Sequence, residues 1–197
     1  ELFANAVMNG GGLKDHSNDE LAAIMAGKKV GVGFSMTDRF FLLSGNTNRE
    51  DLETQLQLQT AYLMHPGYRQ DGVTLLRRAI PMIYNKMDHE VQGAMKKQVP
   101  AILYRNNPRF TFPTQEQLTS YQIKDVRDWV DAPLKNNYME VTVTGDFRTE
   151  DIIPLLERTV GAVPKRAEAP ATLDETLRHP AMADFNFSKD LTYDSSI

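Results

Sequence analysis

Two stretches of the chain alternate strictly between apolar and small or polar residues. Residues 30–35 place valines and a phenylalanine on one face and glycines and a serine on the other. Residues 139–144 place a methionine and two valines opposite glutamate and threonines. A period of two is typical of strands. The sequence therefore predicts strands over 30–35 and 139–144, and it predicts that residues 39–44 pair with the first as a hairpin.

Helical spacing fills most of the remaining chain. Ser17-Asn18-Asp19-Glu20 is a capping box, and Thr114 with Gln117 forms a second one. Pro81 and Pro100 lie inside otherwise helical patterns, where proline is expected to kink or split a helix. The predicted helices cover an opening turn at 2–7, then 17–27, 48–66, 76–87, 89–104, a short helix after Thr114, 125–134 and 149–160.

This order of elements predicts an α+β fold. Residues 1–166 are expected to form the folded body. Beyond them the composition shifts to Ala, Pro, Glu and Thr, so residues 167–197 are interpreted as a linker and the start of a truncated following domain. Three strands are few for so many helices, and a further strand pair is expected outside the chain or in its tail.

The composition of the chain excludes several classes of protein and of site. The 197 residues carry a formal net charge of -4 with Lys and Arg scattered, so the basic stripe that nucleic-acid binding needs is missing. No apolar run approaches the roughly 20 residues that span a bilayer. The chain contains no cysteine, which excludes disulfides, thiolate zinc sites and Cys nucleophiles.

The four histidines do not form a metal-ligand pattern. They are His16, His65, His89 and His179, and the closest two are 24 residues apart, whereas helical zinc ligands lie three or four residues apart. Asp15-His16 and, more strongly, Asp88-His89-Glu90 are the candidates for acid–base chemistry, although adjacent helical residues point in different directions. A solvent-exposed helix end is the competing explanation.

The glycine motifs predict structure rather than phosphate binding. Gly10-Gly11-Gly12 follows a helix instead of preceding one, so it is interpreted as a helix exit, with a backbone surface for an extended peptide as the alternative. Gly31-x-Gly33 lies inside a strand, where small residues let another element pack closely. Asp146 follows Gly145 at the end of a strand and is interpreted as a turn residue.

Several short motifs follow one another in a fixed order along residues 2–166. They are Gly12-Leu13, Ser17-x-x-Glu20-Leu21, Gly27-Lys28-x-Val30, Asn48-x-Glu50-Asp51-Leu52, Leu56-Gln57-Leu58, Asp125-Val126-Arg127-x-Trp129-Val130, Glu140-Val141-Thr142-Val143-Thr144-Gly145-Asp146-Phe147 and Pro164-Lys165-Arg166. In order and spacing they resemble the pitrilysin/insulinase family of zinc peptidases.

That resemblance implies an α/β roll in which a mostly antiparallel sheet packs against several helices. Domains of this family pair into two halves around a chamber, and one N-terminal domain carries the zinc motif H-x-x-E-H. The corresponding positions fall on Leu2, Asn5 and Ala6, or on Glu1, Ala4 and Asn5. Neither frame offers two histidines, so the resemblance implies no catalytic and no metal-ligating residue here, while substrate-binding residues stay unassigned.

The implied role is that of a non-catalytic domain from the second half of a zinc endopeptidase. Its partners would be the catalytic half of the same polypeptide, which holds the zinc, and a peptide substrate. The roll's leading hairpin would be missing, which predicts an exposed sheet edge and a risk of self-association. Bacterial relatives of this type imply a periplasmic location. A scaffold subunit of the same family without protease activity, or an unrelated enzyme using His89, are the alternatives.

Overall fold

A computed structural model describes residues 1–37 and 39–169, so His179 and most of the predicted linker lie outside the described residues. The elements are α1 (Leu2–Gly10), α2 (Asn18–Ile24), β1 (Gly33–Met36), β2 (Phe41–Ser44), α3 (Leu52–Met64), α4 (Gln70–His89), α5 (Val91–Leu103), α6 (Gln115–Ser120), α7 (Ile123–Asn136), α8 (Thr149–Glu157) and a 3-10 turn (Val160–Ala162). The predicted α+β class is confirmed. In this part of the chain no helix has the length and apolar content needed to cross a bilayer.

The described residues fall into two compact units. One contains residues 1–74 and 122–169, and the other contains residues 75–121. In the first unit, α1 contacts β1 and α7, and α3 contacts β2, α7 and α8. The buried face of α1 comprises Phe3, Ala4, Val7 and Met8. In the second unit, the hydroxyl of the buried Tyr84 donates to the carbonyl oxygen of Pro113 at 2.6 Å.

The sheet consists of β1 and β2 in an antiparallel hairpin, with a register that runs from Gly33↔Ser44 to Met36↔Phe41. The predicted pairing is thus confirmed, but the ladder begins only at Gly33 and excludes Val30 to Val32. The prediction of a strand over 139–144 is wrong. Those residues have no regular secondary structure, and they pair with no strand in the described parts of the chain.

Neither internal proline interrupts its helix. Pro81 lies inside the continuous α4 and Pro100 inside α5, so the expected splits do not occur. Pro81 is exposed, and water can solvate the carbonyl group whose helical bond it removes. On either side of it, the buried Ile80 and Tyr84 hold the helix in place. Both predicted capping boxes, in contrast, are present at the starts of α2 and α6.

The glycines that end α1 allow two backbones to touch. A Cβ added to Gly11 would lie 1.6 Å from the carbonyl oxygen of Gly67, and one added to Gly10 would lie 2.3 Å from the Cα of Gly72. Gly12 has a φ of 62°, which favours glycine. The triplet is therefore a tightly packed helix exit, and its backbone is covered rather than open to a peptide.

Side chains of α3 hold the extended residues that precede β1. Gln55, which is 3% exposed, donates from Nε2 to the Gly31 carbonyl at 2.8 Å and accepts from the Gly31 N–H at 2.9 Å. One turn earlier, Asp51 Oδ2 accepts from the Lys29 N–H at 2.8 Å. The Gln55 amide thus replaces the backbone of a neighbouring strand. A Cβ on Gly45 would meet Gln55 Nε2 at 2.0 Å, which explains the glycine there.

A side chain of α1 does the same on the opposite edge of β1. Asn9 Nδ2 donates to the Phe34 carbonyl at 2.8 Å, and Asn9 Oδ1 accepts from the Phe34 N–H at 2.7 Å. Residues 29–36 are therefore held between two helices by hydrogen bonds to side chains, in addition to the short ladder with β2.

We predict that Gly72→Ala destabilises the protein by at least about 2 kcal/mol. The new Cβ would lie 1.9 Å from the carbonyl oxygen of Ala6, a backbone atom that cannot move without shifting α1. The gain in helix propensity, about 1 kcal/mol, is too small to offset this clash. Urea unfolding gives the difference. Gly31→Ala is the control, because nothing lies within 4 Å of its added Cβ; equal losses in both variants would refute the contact.

We also predict that the stabilisation by Asp51 disappears in acid. The N–H of Lys29, followed by the Lys28 ammonium group, lowers the pKa of the Asp51 carboxyl in the folded state. A depressed folded pKa adds stability above the unfolded pKa of about 4 and loses it as the pH falls through the folded value. The difference in unfolding free energy between wild type and Asp51→Asn should therefore be constant near neutrality and shrink below about pH 4.

The neighbouring exposed carboxyl group offers a matched control for this experiment. Glu50→Gln removes one charge from the same helix start without touching Lys29, so it should leave the shape of the pH profile unchanged. A gap between wild type and Asp51→Asn that stays constant down to pH 2 would contradict the role given to the carboxylate.

Candidate functional site

A shallow concavity with lysines in its lining lies where the hairpin opens. Beyond the pair Gly33↔Ser44 the two chain segments diverge and leave a shallow groove of about 720 Å3. It is lined by Lys28, Lys29, Val30, Gly31, Val32, Gly33, Ser44, Gly45 and Asn46. All of these residues belong to the first unit.

One edge of the extended segment has unused hydrogen-bonding groups. The odd-numbered residues Lys29 and Gly31 bond to α3, and Gly33 pairs with β2. The N–H and C=O groups of Val30 and Val32 make no hydrogen bond with any described residue. Since a strand presents alternate residues to opposite edges, these groups lie on the edge where Asn9 binds Phe34. The Asn9 amide supplies one donor and one acceptor to Phe34. A ligand that binds this edge would have to supply the same pair of groups at every second residue.

The floor of the groove is nearly free of side chains. A Cβ on Gly31 would meet nothing within 4 Å, and one on Gly33 would meet only Ser44 Oγ, at 3.4 Å. The sequence-based expectation that Gly31-x-Gly33 admits another packed element is therefore not met inside the described chain. These glycines instead leave the backbone accessible from the open face of the sheet.

Positive charge lies at one end of the groove. Lys28 Nζ is 3.5 Å from Asp51 Oδ1, so its charge is largely matched. Lys29 is exposed and forms no ion pair with the described residues. A ligand entering from this end would meet one ammonium group that is not matched by a carboxylate.

The residues of α1 do not fit a zinc ion. In either frame of the zinc motif the central helix positions are filled by alanine and Asn5, and Ala4 is buried in the core. Asn5 Oδ1 is buried and accepts no hydrogen bond, but a single neutral amide oxygen is a weak ligand for zinc, which prefers His, Cys and carboxylates. Within the described ranges no three His, Asp or Glu side chains come close enough to hold a metal ion.

The structure does not bring the histidine candidates into an acid–base arrangement. His89 Nδ1 lies 2.6 Å from the carbonyl oxygen of Asn85 in its own helix. The flanking Asp88 accepts from Lys97 Nζ at 2.8 Å, and Glu90 lies 3.8 Å from Lys86 Nζ. Both carboxylates therefore contact lysines. His16 and His65 lie in loops at the ends of neighbouring elements.

Asp146 agrees with its interpretation as a turn residue. Its side chain is fully exposed and 3.9 Å from Arg49 Nη2. The preceding Gly145 has a φ of 154°, a value that favours glycine, and the chain bends at these two residues.

Sequence reasoning missed Asn9, Gln55 and the Val30–Val32 edge. Asn9 directly precedes the glycine triplet, and no local pattern indicates that its side chain binds a strand. Gln55 is the first of three glutamines that alternate with leucines, and the sequence does not show that it is buried, because its burial depends on tertiary packing. The available signal was Gly31-x-Gly33 itself, because two open glycines in a strand often mark the close approach of a ligand or another backbone.

Comparison with known proteins connects this fold to proteases. No protein-family model matches the chain. The chloroplastic stromal processing peptidase of Pisum sativum is 21% identical over 145 residues, which are 73% of this chain and 12% of that protein. The Arabidopsis thaliana protein of the same name gives the same figures. The chain thus spans about one eighth of the curated relatives that it matches.

Three solved protease structures share the fold over 91% of the chain. The ferredoxin protease FusC, in complex with Arabidopsis ferredoxin, gives a TM-score of 0.65 at 17% identity and is covered over 19% of its length. The periplasmic protease PqqL from Escherichia coli gives 0.67 at 17% identity and 20% coverage. A protease from Helicobacter pylori gives 0.66 at 13% identity and 45% coverage. These neighbours support, at low sequence identity, a pitrilysin-like fold that forms one part of larger protease chains.

Proposed function

We propose that this chain is a non-catalytic domain of a zinc metalloendopeptidase, which helps to enclose and bind a peptide substrate. In this proposal the zinc and the residues that act on the peptide bond belong to another part of the same polypeptide. The likeness to protease chains that are several times longer supports the assignment. The lack of suitable ligands on α1 is the reason for placing the metal elsewhere.

The observation that carries the peptide-binding role is the open edge at Val30 and Val32. Extended peptides bind to exposed strand edges through main-chain hydrogen bonds, which depend little on the peptide's sequence. Asp51 and Gln55 fix the other edge, so the segment is already extended and loses little entropy when a peptide binds. The open glycine face leaves room for the peptide's side chains.

A periplasmic location is part of the proposal. One structural neighbour is described as a periplasmic protease, whereas the curated relatives are chloroplastic. Fractionation of cells that make the complete polypeptide tests this point, and recovery only with the cytosolic fraction would contradict it.

We predict that Val32→Pro weakens peptide binding at least about fivefold, because it removes one of the N–H donors of the open edge. The preceding residue, Gly31, has no Cβ to clash with the ring of a following proline. The probe is a fluorescein-labelled casein peptide of about ten residues, and its binding to the full chain is measured by fluorescence polarisation. Val32→Ala keeps the N–H and is the matched control. Equal affinity of the two variants would rule out main-chain binding at this edge.

We also predict that the purified chain, after loading with zinc and dialysis, retains well under one zinc per molecule. The α1 positions supply no imidazole, and zinc sites need three or four strong ligands. Elemental analysis gives the ratio. One tightly held zinc per chain would mean that distant residues converge into a site, and the division of labour proposed above would be wrong.

A further inference from the structure

The charges around the candidate groove are unevenly distributed. Two lysines are among its lining residues, whereas no aspartate or glutamate is. Lys28 is paired with Asp51, so the groove keeps one positive charge, at Lys29, that no carboxylate among the described residues matches. The other wall consists of residues 44–46, which are uncharged. The groove as a whole is therefore complementary to a ligand that carries a negative charge.

The side chain of Lys29 lies on the open face of the segment that precedes β1. Val30 and Val32 both pack against one cluster of buried side chains from α2 and α3. Lys29, Gly31 and Gly33 alternate with these valines and are exposed. Since successive side chains of an extended segment point to opposite faces, the lysine shares its face with the two glycines, and no bulky side chain stands beside it there.

The backbone hydrogen bonds of the segment fix this orientation. The Lys29 N–H donates to Asp51 Oδ2 at 2.8 Å, and the Gly31 N–H donates to Gln55 Oε1 at 2.9 Å. Both residues thus turn the same edge toward α3, which leaves the groups of Val30 for the opposite edge, where a peptide would bind. The backbone of Lys29 is therefore anchored, while its exposed side chain is available to a ligand in the groove.

A peptide that pairs with this edge would bring alternate side chains onto the open face. The peptide residues opposite Lys29 and Gly31 would both project there, two positions apart. Side chains directly opposite each other have Cβ atoms about 5 Å apart, and opposite charges in such pairs are favourable. An aspartate or glutamate opposite Lys29 would thus meet its ammonium group. The peptide residue opposite Gly31 would meet no side chain.

We propose that Lys29 makes the groove select peptides that carry an acidic residue. This inference rests on the peptide-binding role proposed above and assigns a substrate class to it. Asp51 contributes by matching the charge of Lys28 and by holding the Lys29 backbone, so charge recognition depends on one side chain. Since a single exposed ion pair is weak, the groove should favour acidic peptides by about threefold rather than require them.

Three synthetic peptides test this preference. They are about ten residues long, are blocked at both ends, and differ only at one central position, which is glutamate, glutamine or lysine. They contain no other charged residue and carry the same neutral fluorescent label. Fluorescence polarisation with the full 197-residue chain should give the lowest dissociation constant for the glutamate peptide. The lysine peptide should give the highest, and each should differ from the glutamine peptide by about threefold at low salt. In about 1 M salt, where the Debye length is about 3 Å, the three values should converge.

Substitutions at Lys29 separate this ion pair from the field of the whole protein. Lys29→Gln should remove the difference between the glutamate and glutamine peptides, and Lys29→Glu should make the lysine peptide the tightest of the three. Neither change removes the N–H that binds Asp51. Lys165→Glu is the matched control, because it makes the same change of charge at an exposed lysine that does not line the groove. It should leave the order of the peptides unchanged.

The outcomes distinguish this inference from the role on which it rests. If none of the three peptides binds, both the peptide-binding role and the selection by Lys29 are overturned. If all three bind equally, or if Lys29→Glu leaves their order unchanged, only the selection by Lys29 is overturned. An equal loss of preference in Lys165→Glu would trace the effect to net charge and would overturn it too. Circular dichroism of each variant confirms that it folds like the wild type.

Discussion

The backbone N–H and C=O groups before and within β1 must find hydrogen-bond partners. This requirement determines how α1 and α3 are placed around the hairpin in the first unit. A two-stranded hairpin satisfies only half of these groups. The rest are met by the side chains of Asp51 and Gln55 from α3 and of Asn9 from α1. The two helices are thereby fixed to the sheet by polar contacts as well as by packing. The groups left over, at Val30 and Val32, define the candidate site.

Close backbone packing makes this arrangement possible. Gly10 and Gly11 let the end of α1 touch Gly72 and Gly67, which sets the distance between α1 and the start of α4. With α1 in that place, Asn9 reaches Phe34, and the buried face of the same helix completes the core. The helix α1 thus contributes both the Asn9 side chain that binds Phe34 and part of the core.

Local signals in the sequence were the most reliable guide. The capping boxes at Ser17 and Thr114 formed as predicted because all their partners lie within four residues. Residues 139–144 show the opposite case: their alternation is typical of a strand, but a strand exists only with a partner, and periodicity does not reveal one. Pro81 does not split α4, because the flanking buried Ile80 and Tyr84 hold the helix together through tertiary packing. The candidate edge was missed since it depends on Gln55, whose burial no local pattern indicates.

The hydrogen bonds from Gln55 to Gly31 and from Asn9 to Phe34 also bear on the order in which the molecule folds. Gln55 and Gly31 are 24 residues apart, and Asn9 and Phe34 are 25 apart, so each of these contacts closes a long loop. A hairpin usually forms early through local contacts, but this one has only four residue pairs of its own. It should acquire order late in the folding transition, after α1 and α3 have formed. Substitutions at Asn9 and Gln55 would then accelerate unfolding and leave the folding rate almost unchanged.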